Sequence, residues 1–174
     1  MRPRTKNERN VSLPLSAESI TTTALDVLSR YGLGDLSMRR LARELDVQPS
    51  ALYWHVKNKQ DLLVLIATRI CAEVDARCPV TADPLVTVLA LRDVLLRFRD
   101  GAEIVMLGYS IAPSDVTPAA LRPERLGATT SAGAMAYALG AVAIEQNRVL
   151  FAIDDDNAGE RFAEVAAGIL REPT

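Results

Sequence analysis

The run Pro49-Ser50-Ala51-Leu52-Tyr53-Trp54-His55-Val56-Lys57-Asn58-Lys59 gathers side chains suited to recognition rather than catalysis. Leu52 and Val56 are four apart, which predicts the inward stripe of a short helix over 49–56, with Val47 beside it. Pro49, Ser50, Ala51, Tyr53, Trp54 and His55 are then left outward. Two helical turns with Tyr, Trp and His in water serve solubility badly and await a partner. Small residues at the helix start let its backbone approach base edges, and the hydroxyl and ring donors can reach bases or phosphates. Lys57 and Lys59, at the start of the next helix, are placed for a phosphate. Arg39, Arg40 and Arg43 add positive charge one helix earlier. The competing reading packs Tyr53 and Trp54 onto a neighbouring helix and leaves His55 an ordinary surface residue. The set as a whole favours double-stranded DNA.

Other chemistry is thin. His55 is the single histidine, so a His-based triad has no place in the rest of the chain. No Gly-rich phosphate loop occurs. Asp154-Asp155-Asp156 lacks the Gly and the downstream Glu of a calcium loop and is expected to be a solvated helix end. The expectation is therefore a protein that is not an enzyme, with no metal site and no cofactor.

The elements that must hold the recognition run are legible from the periodicity. Of 174 residues, 49% are hydrophobic, 24% charged and 5% aromatic, a balance that builds a core and favours packed helices over a sheet sandwich. Residues 1–60 hold ten Lys/Arg against six Asp/Glu, and residues 61–174 hold ten against sixteen. A basic head on an acidic body suits a nucleic-acid partner at one end. The longest apolar runs, 62–67 and 134–144, are too short to span a bilayer, and the N-terminus lacks a secretory core. Cys71 and Cys78 would lie about 10 Å apart on one helix, too far to bridge, and read as reduced thiols of a cytoplasmic protein.

Residues 1–15 form an expected flexible basic arm. Ser16 caps a first helix that Gly32-Leu33-Gly34 stops. Ser37 caps a second, with Leu36 and Leu41 as a hydrophobic staple. After the connector Asp46-Val47-Gln48, Pro49 opens the third helix. Asn58 caps a fourth that runs to about Arg77. Beyond it the pattern predicts helices over 84–99, 102–109, a piece in 117–127, 132–153 and 160–171.

Helices two and three have the form of a helix-turn-helix. The residues Leu36-Ser37-Met38-Arg39-Arg40-Leu41-Ala42-Arg43-Glu44-Leu45-Asp46-Val47, followed by Leu52-Tyr53-Trp54-His55-Val56-Lys57-Asn58-Lys59, resemble the DNA-binding domain of the TetR family over about residues 16–78. The resemblance implies DNA contacts from Ser37 and Arg39, from the outward set Pro49 to His55, and from Lys59 on a phosphate. Asp46 stands where the family usually has Gly, and Asp tolerates the left-handed turn better than most residues. Arg99-Asp100-Gly101-Ala102, Leu107-Gly108 with Pro113, and Tyr137 to Val142 are similar to the family's effector domain, which implies a ligand cavity and a dimer through a four-helix bundle. Family members that hold a magnesium–drug chelate use a histidine there, and this chain has none after His55. The implied pocket residues are Asp75, Thr87, Leu91, Met106 and Tyr109, with Ile144 added as an apolar wall, and an organic effector is expected to be held by shape.

The resulting expectation is an all-α chain. A helix-turn-helix domain at 16–60 is joined by a long helix to an effector-binding and dimerisation domain at 61–174. Its partners would be operator DNA, a small organic effector and a second copy, with no membrane. The function would be a ligand-responsive transcriptional repressor. The alternative is a constitutive DNA-binding or scaffolding dimer whose pocket is vestigial, kept open by the short segments 113–136 and 154–159.

Overall fold

A computed structural model describes residues 15–171, and all of the described regular structure is helical. Most of the expected basic arm, including Arg2, Arg4, Lys6 and Arg9, lies outside the described residues. Helix α1 spans Ala17–Tyr31. Its cap is reciprocal, as Ser19 N donates to Ser16 Oγ at 3.1 Å and Ser16 N donates to Ser19 Oγ at 2.9 Å. A 3₁₀ turn over Leu33–Asp35 leads to α2, Met38–Glu44, and then α3, Pro49–Leu52. Helix α4, Lys59–Arg77, is capped by Asn58, whose Oδ1 accepts from Asp61 N at 2.8 Å.

The remaining helices are α5 (Pro84–Arg97), α6 (Gly101–Ile111), α7 (Pro113–Val116), α8 (Pro123–Leu126), α9 (Ala128–Leu150) and α10 (Ala158–Arg171). The single piece expected in 117–127 is three short ones over 113–126. Pro113, Pro118 and Pro123 recur every five residues, and each lacks the N–H that a continuing helix would need. Pro113 and Pro123 each start a short helix, and Pro118 precedes a 3₁₀ turn over Ala119–Leu121. Helix α9 stops before the expected Ile153 because Ala152 turns left-handed at φ 52°; Ile153 N then donates to Arg148 O at 3.0 Å.

One core runs through the molecule. Ile20, Leu41, Leu52 and Leu62 of the N-terminal helices and Leu91, Leu95, Ile104 and Met135 of the rest are fully buried. Helix α4 belongs to both ends, packing on α1 and also on α5, α6 and α7. Its tightest neighbour is α6, where a Cβ placed on Gly108 would stand 2.4 Å from Ala67 Cβ. Two helix backbones meet there at a distance only glycine allows.

Gly108→Val should therefore push α4 and α6 apart and destabilise the fold by about 1–3 kcal/mol, read by urea unfolding at fixed protein concentration. A second expectation concerns the thiols. Cys71 and Cys78 are both free and buried, and burial, with the nearby charge of Asp75, pushes the Cys71 thiol up to about 12. Neither cysteine should react with a disulfide reagent at pH 8 in the native state, and both should titrate once guanidinium unfolds the chain.

Candidate nucleic-acid interface and neighbouring cavities

The connector between α2 and α3 is a helix stop followed at once by a helix start. Asp46 takes the left-handed conformation, φ 53°; Asp46 N donates to Arg43 O at 3.3 Å, and Val47 N donates to Ala42 O at 2.9 Å. Those two bonds satisfy the last carbonyls of α2 in the usual left-handed C-terminal motif. Asp thus fills the turn where glycine was the expected residue. Pro49 then supplies the first position of α3.

Helix α3 ends at Leu52, earlier than the expected Val56, and the chain makes one tighter turn, with His55 N and Val56 N both donating to Leu52 O at 2.9 Å. The inward stripe survives this shortening, since Leu52 is 0% and Val56 1% exposed. Pro49, Ser50, Tyr53 and His55 are exposed, Ala51 is half-buried, and Trp54 is 90% exposed. Trp54 therefore does not pack onto a neighbouring helix. A large indole left almost wholly in water, beside an exposed phenol and imidazole, is the least expected surface on the molecule.

The surrounding charges divide into free and engaged. Arg39, Arg43, Lys57 and Lys59 are exposed and enter no ion pair among the described residues. Arg40 does not belong with them. Its guanidinium lies 3.6 Å from the Tyr31 ring centroid and bonds Asp35 at 3.0 Å, with Glu44 one turn along. Arg40 staples α1 to α2. Ser37 is the cap of α2, its Oγ accepting from Arg40 N at 3.2 Å, so its own hydroxyl proton is left to donate outward.

The pocket set drawn from the sequence is not brought together. Asp75 Oδ1 accepts from Ala119 N at 2.8 Å and anchors the 3₁₀ turn after α7. Thr87 is fully buried, its hydroxyl donating to Asp83 O at 3.1 Å, and Leu91 is fully buried because α5 is clamped between α4, α9 and α10. The other three border three different cavities. Met106 lines one of about 390 Å³ between the α5–α6 corner and the end of α9. Tyr109 lines one of about 270 Å³ under α7 and α8 with Thr117, Arg122 and Ser131. Ile144 lies on the opposite side of α9, 58% exposed, beside a cavity of about 200 Å³ shared with α10.

Of the cavity of about 390 Å³, Met106 was singled out from the sequence, whereas Gln146 of the same lining was not. Gln146 joins three backbone groups, its Nε2 donating to Leu95 O at 3.2 Å and Phe98 O at 2.9 Å while its Oε1 accepts from Ala102 N at 3.2 Å. It thereby closes the end of α5 and the start of α6 from another helix. Arg92 and Glu145 tie α5 to α9 through two bonds of 3.1 and 2.7 Å. Nothing in a one-dimensional pattern marks a glutamine 44 residues away as the cap of α6. Among the described residues no group of three or more His, Cys, Asp or Glu could hold a metal ion, and no helix is long and apolar enough to cross a membrane.

Residues 20–66 match the family described as bacterial regulatory proteins, tetR family. The tetracycline repressor class D from Escherichia coli is 38% identical over 96 residues, 52% of this chain, and the chain spans under half of that repressor's length, 44%. The class A repressor from transposon 1721, also from Escherichia coli, is 34% identical over 161 residues, covering 84% of this chain and 72% of the relative. Among solved structures, BioQ with its natural double-stranded DNA operator superposes with a TM-score of 0.69 at 28% identity, over 91% of this chain and 99% of that one. An all-helical fold with an exposed helix-turn-helix face, and a relative matched over most of its length, make this chain a member of the TetR family of bacterial regulatory proteins.

Proposed function

We propose that the chain is a homodimeric, ligand-responsive transcriptional repressor. The observation that carries this reading is the outward face of α3 and the turn after it, where Tyr53, Trp54 and His55 stand in solvent. Pro49, Ser50 and Ala51 would bring that backbone to base edges, and Tyr53, Trp54 and His55 would read bases or pack against the sugar–phosphate wall. Ser37, Arg39, Lys57 and Lys59 would hold phosphates. Two such faces would enter successive major grooves of a near-palindromic operator, roughly 34–36 Å apart. The relatives support this by what they are named for, tetracycline repressor proteins and a structure with its double-stranded DNA operator.

The second copy would add along α9 and α10. Ala136, Gly140 and Ile144 follow one another at single-turn spacing on α9; Ala136 and Ile144 are exposed, and a Cβ on Gly140 would meet nothing within 4 Å. Val165 on α10 is 45% exposed. A small-residue stripe with open space above it permits close approach of a second helix. In this division of labour, residues 16–60 are the reading head and 61–174 the effector and dimerisation domain.

Tyr53→Ala and His55→Ala should each weaken binding to an operator selected from random DNA by about 1–3 kcal/mol, with little change in stability because neither lies on the buried stripe. Operator affinity equal to the parent in both variants would remove the assignment of this face. Gly140→Leu has room within its own subunit, so the expected result is a folded monomer with unchanged helical circular dichroism. A dimer surviving in analytical ultracentrifugation would place the interface elsewhere.

A further inference from the structure

Arg40 lies in a charge network that joins α1, the 3₁₀ turn and α2. Its guanidinium carbon sits 3.6 Å from the Tyr31 ring centroid, and its Nη1 donates to Asp35 Oδ1 at 3.0 Å. Its Nε is buried and makes no hydrogen bond, and it faces Glu44 Oε1 at 3.9 Å. The other oxygen of Glu44 lies 3.4 Å from Arg30 Nη2, and Arg30 pairs in turn with Asp26 one turn back. Arg30 also approaches the Tyr31 ring, its guanidinium carbon 5.3 Å from the centroid. The two guanidinium groups therefore share one ring and one carboxylate.

What such a network fixes is an angle. Helix α2 packs on α1 through the buried Leu41 and Ala42, and α3 packs on α2. Apolar burial is non-directional, so by itself it lets a helix of two turns roll against its neighbour at small cost. A planar guanidinium over one ring and bonded to one carboxylate is directional, and a flexible ammonium cannot reproduce its fork. The Arg40 side chain is only 21% exposed, so these contacts are screened less by salt than a surface pair would be. Arg39 and Arg43, on the same helix, are exposed and enter no ion pair among the described residues. One short helix thus divides its arginines between an outward pair and an inward one held by α1.

Resting on the reading of the helix-turn-helix face as the DNA contact, we propose that Arg40 is a specificity-determining positioning residue that touches no DNA. With Tyr31, Asp35 and Glu44 it sets the roll of α2 on α1. That roll fixes where Ser37 and Arg39 meet phosphates and, through α2, where α3 meets bases. Base readout depends on this register, whereas non-specific binding depends on the number of phosphates neutralised. Without the network the fitting orientation becomes one of several, and operator affinity falls by the fraction of time it is occupied.

The test measures fluorescence anisotropy of the full chain on an operator selected from random DNA and on a scrambled duplex of equal length, over a range of salt. Arg40→Lys keeps the charge and loses the fork, and should weaken the operator about fivefold while leaving the scrambled duplex unchanged. Tyr31→Leu, which removes no charge, should do the same, and the double variant should be no weaker than either single one. Arg40→Gln should give an operator salt slope parallel to the parent's. Arg39→Gln, the contact control, should weaken both duplexes and flatten the slope by about 0.9. Parent-like operator binding by Arg40→Lys, or a slope flattened by Arg40→Gln, would make Arg40 a phosphate contact and overturn the proposal. So would additive losses from Arg40→Lys and Tyr31→Leu, or loss of helical circular dichroism in both at the assay temperature. Each of these leaves the helix-turn-helix reading standing while Arg39→Gln weakens DNA binding. Failure to select any operator, or a parent-like Arg39→Gln, removes that reading and the proposal with it.

Discussion

Gly108 lets α6 lie against Ala67 of α4 at a separation that no side chain could tolerate. Helix α4 begins at the helix-turn-helix, capped by Asn58 two residues after the buried Val56, and ends among α5, α6 and α7. A helix carries displacement along its axis because its backbone bonds run lengthwise and resist bending. Fixing α6 onto the middle of α4 therefore ties the position of the body's cavities to the angle of the head. A looser contact would leave two ends connected by chain alone.

A second connection runs beside the first. Asp100 reaches from the start of α6 to Leu33 N, so α6 meets the head directly at one end and indirectly through α4 along its length. The two routes differ in kind. The α4–α6 contact is apolar and close-packed, and it gives way only at a cost in packing. The Asp100 bond is one polar contact at a partly buried corner, where exchanging a partner for water costs little.

The helix-turn-helix face shows the same economy. Asp46 accepts a left-handed turn, Ser37 caps α2, and Arg40 is fastened to Tyr31, Asp35 and Glu44. These residues hold the head rigid from within, which leaves Arg39, Arg43, Lys57 and Lys59 uncommitted on its surface. Counting basic residues along the sequence would credit Arg40 to DNA, and only its neighbours in space reassign it.

Sequence alone determined the parts whose causes are local. The Ser16, Ser37 and Asn58 caps, the Leu52/Val56 stripe, the exposed aromatics and the all-helical fold each follow from periodicity or from hydrogen bonds within a few residues, and the residues that carry the family resemblance lie in the same stretch. The three prolines at 113, 118 and 123 were also readable, though a single helical piece was expected there. The pocket was another matter. Asp75, Thr87 and Leu91 have residue types that suit a ligand, but a backbone amide of residue 119, a carbonyl one turn away and the core occupy them. Asp100 gains its partner from Leu33, 67 residues away, and Gln146 from carbonyls about fifty residues distant. A cavity is the space that several helices fail to fill, and its walls are set by the angles at which those helices pack. No spacing along one chain encodes that angle, so the tertiary structure decided the site.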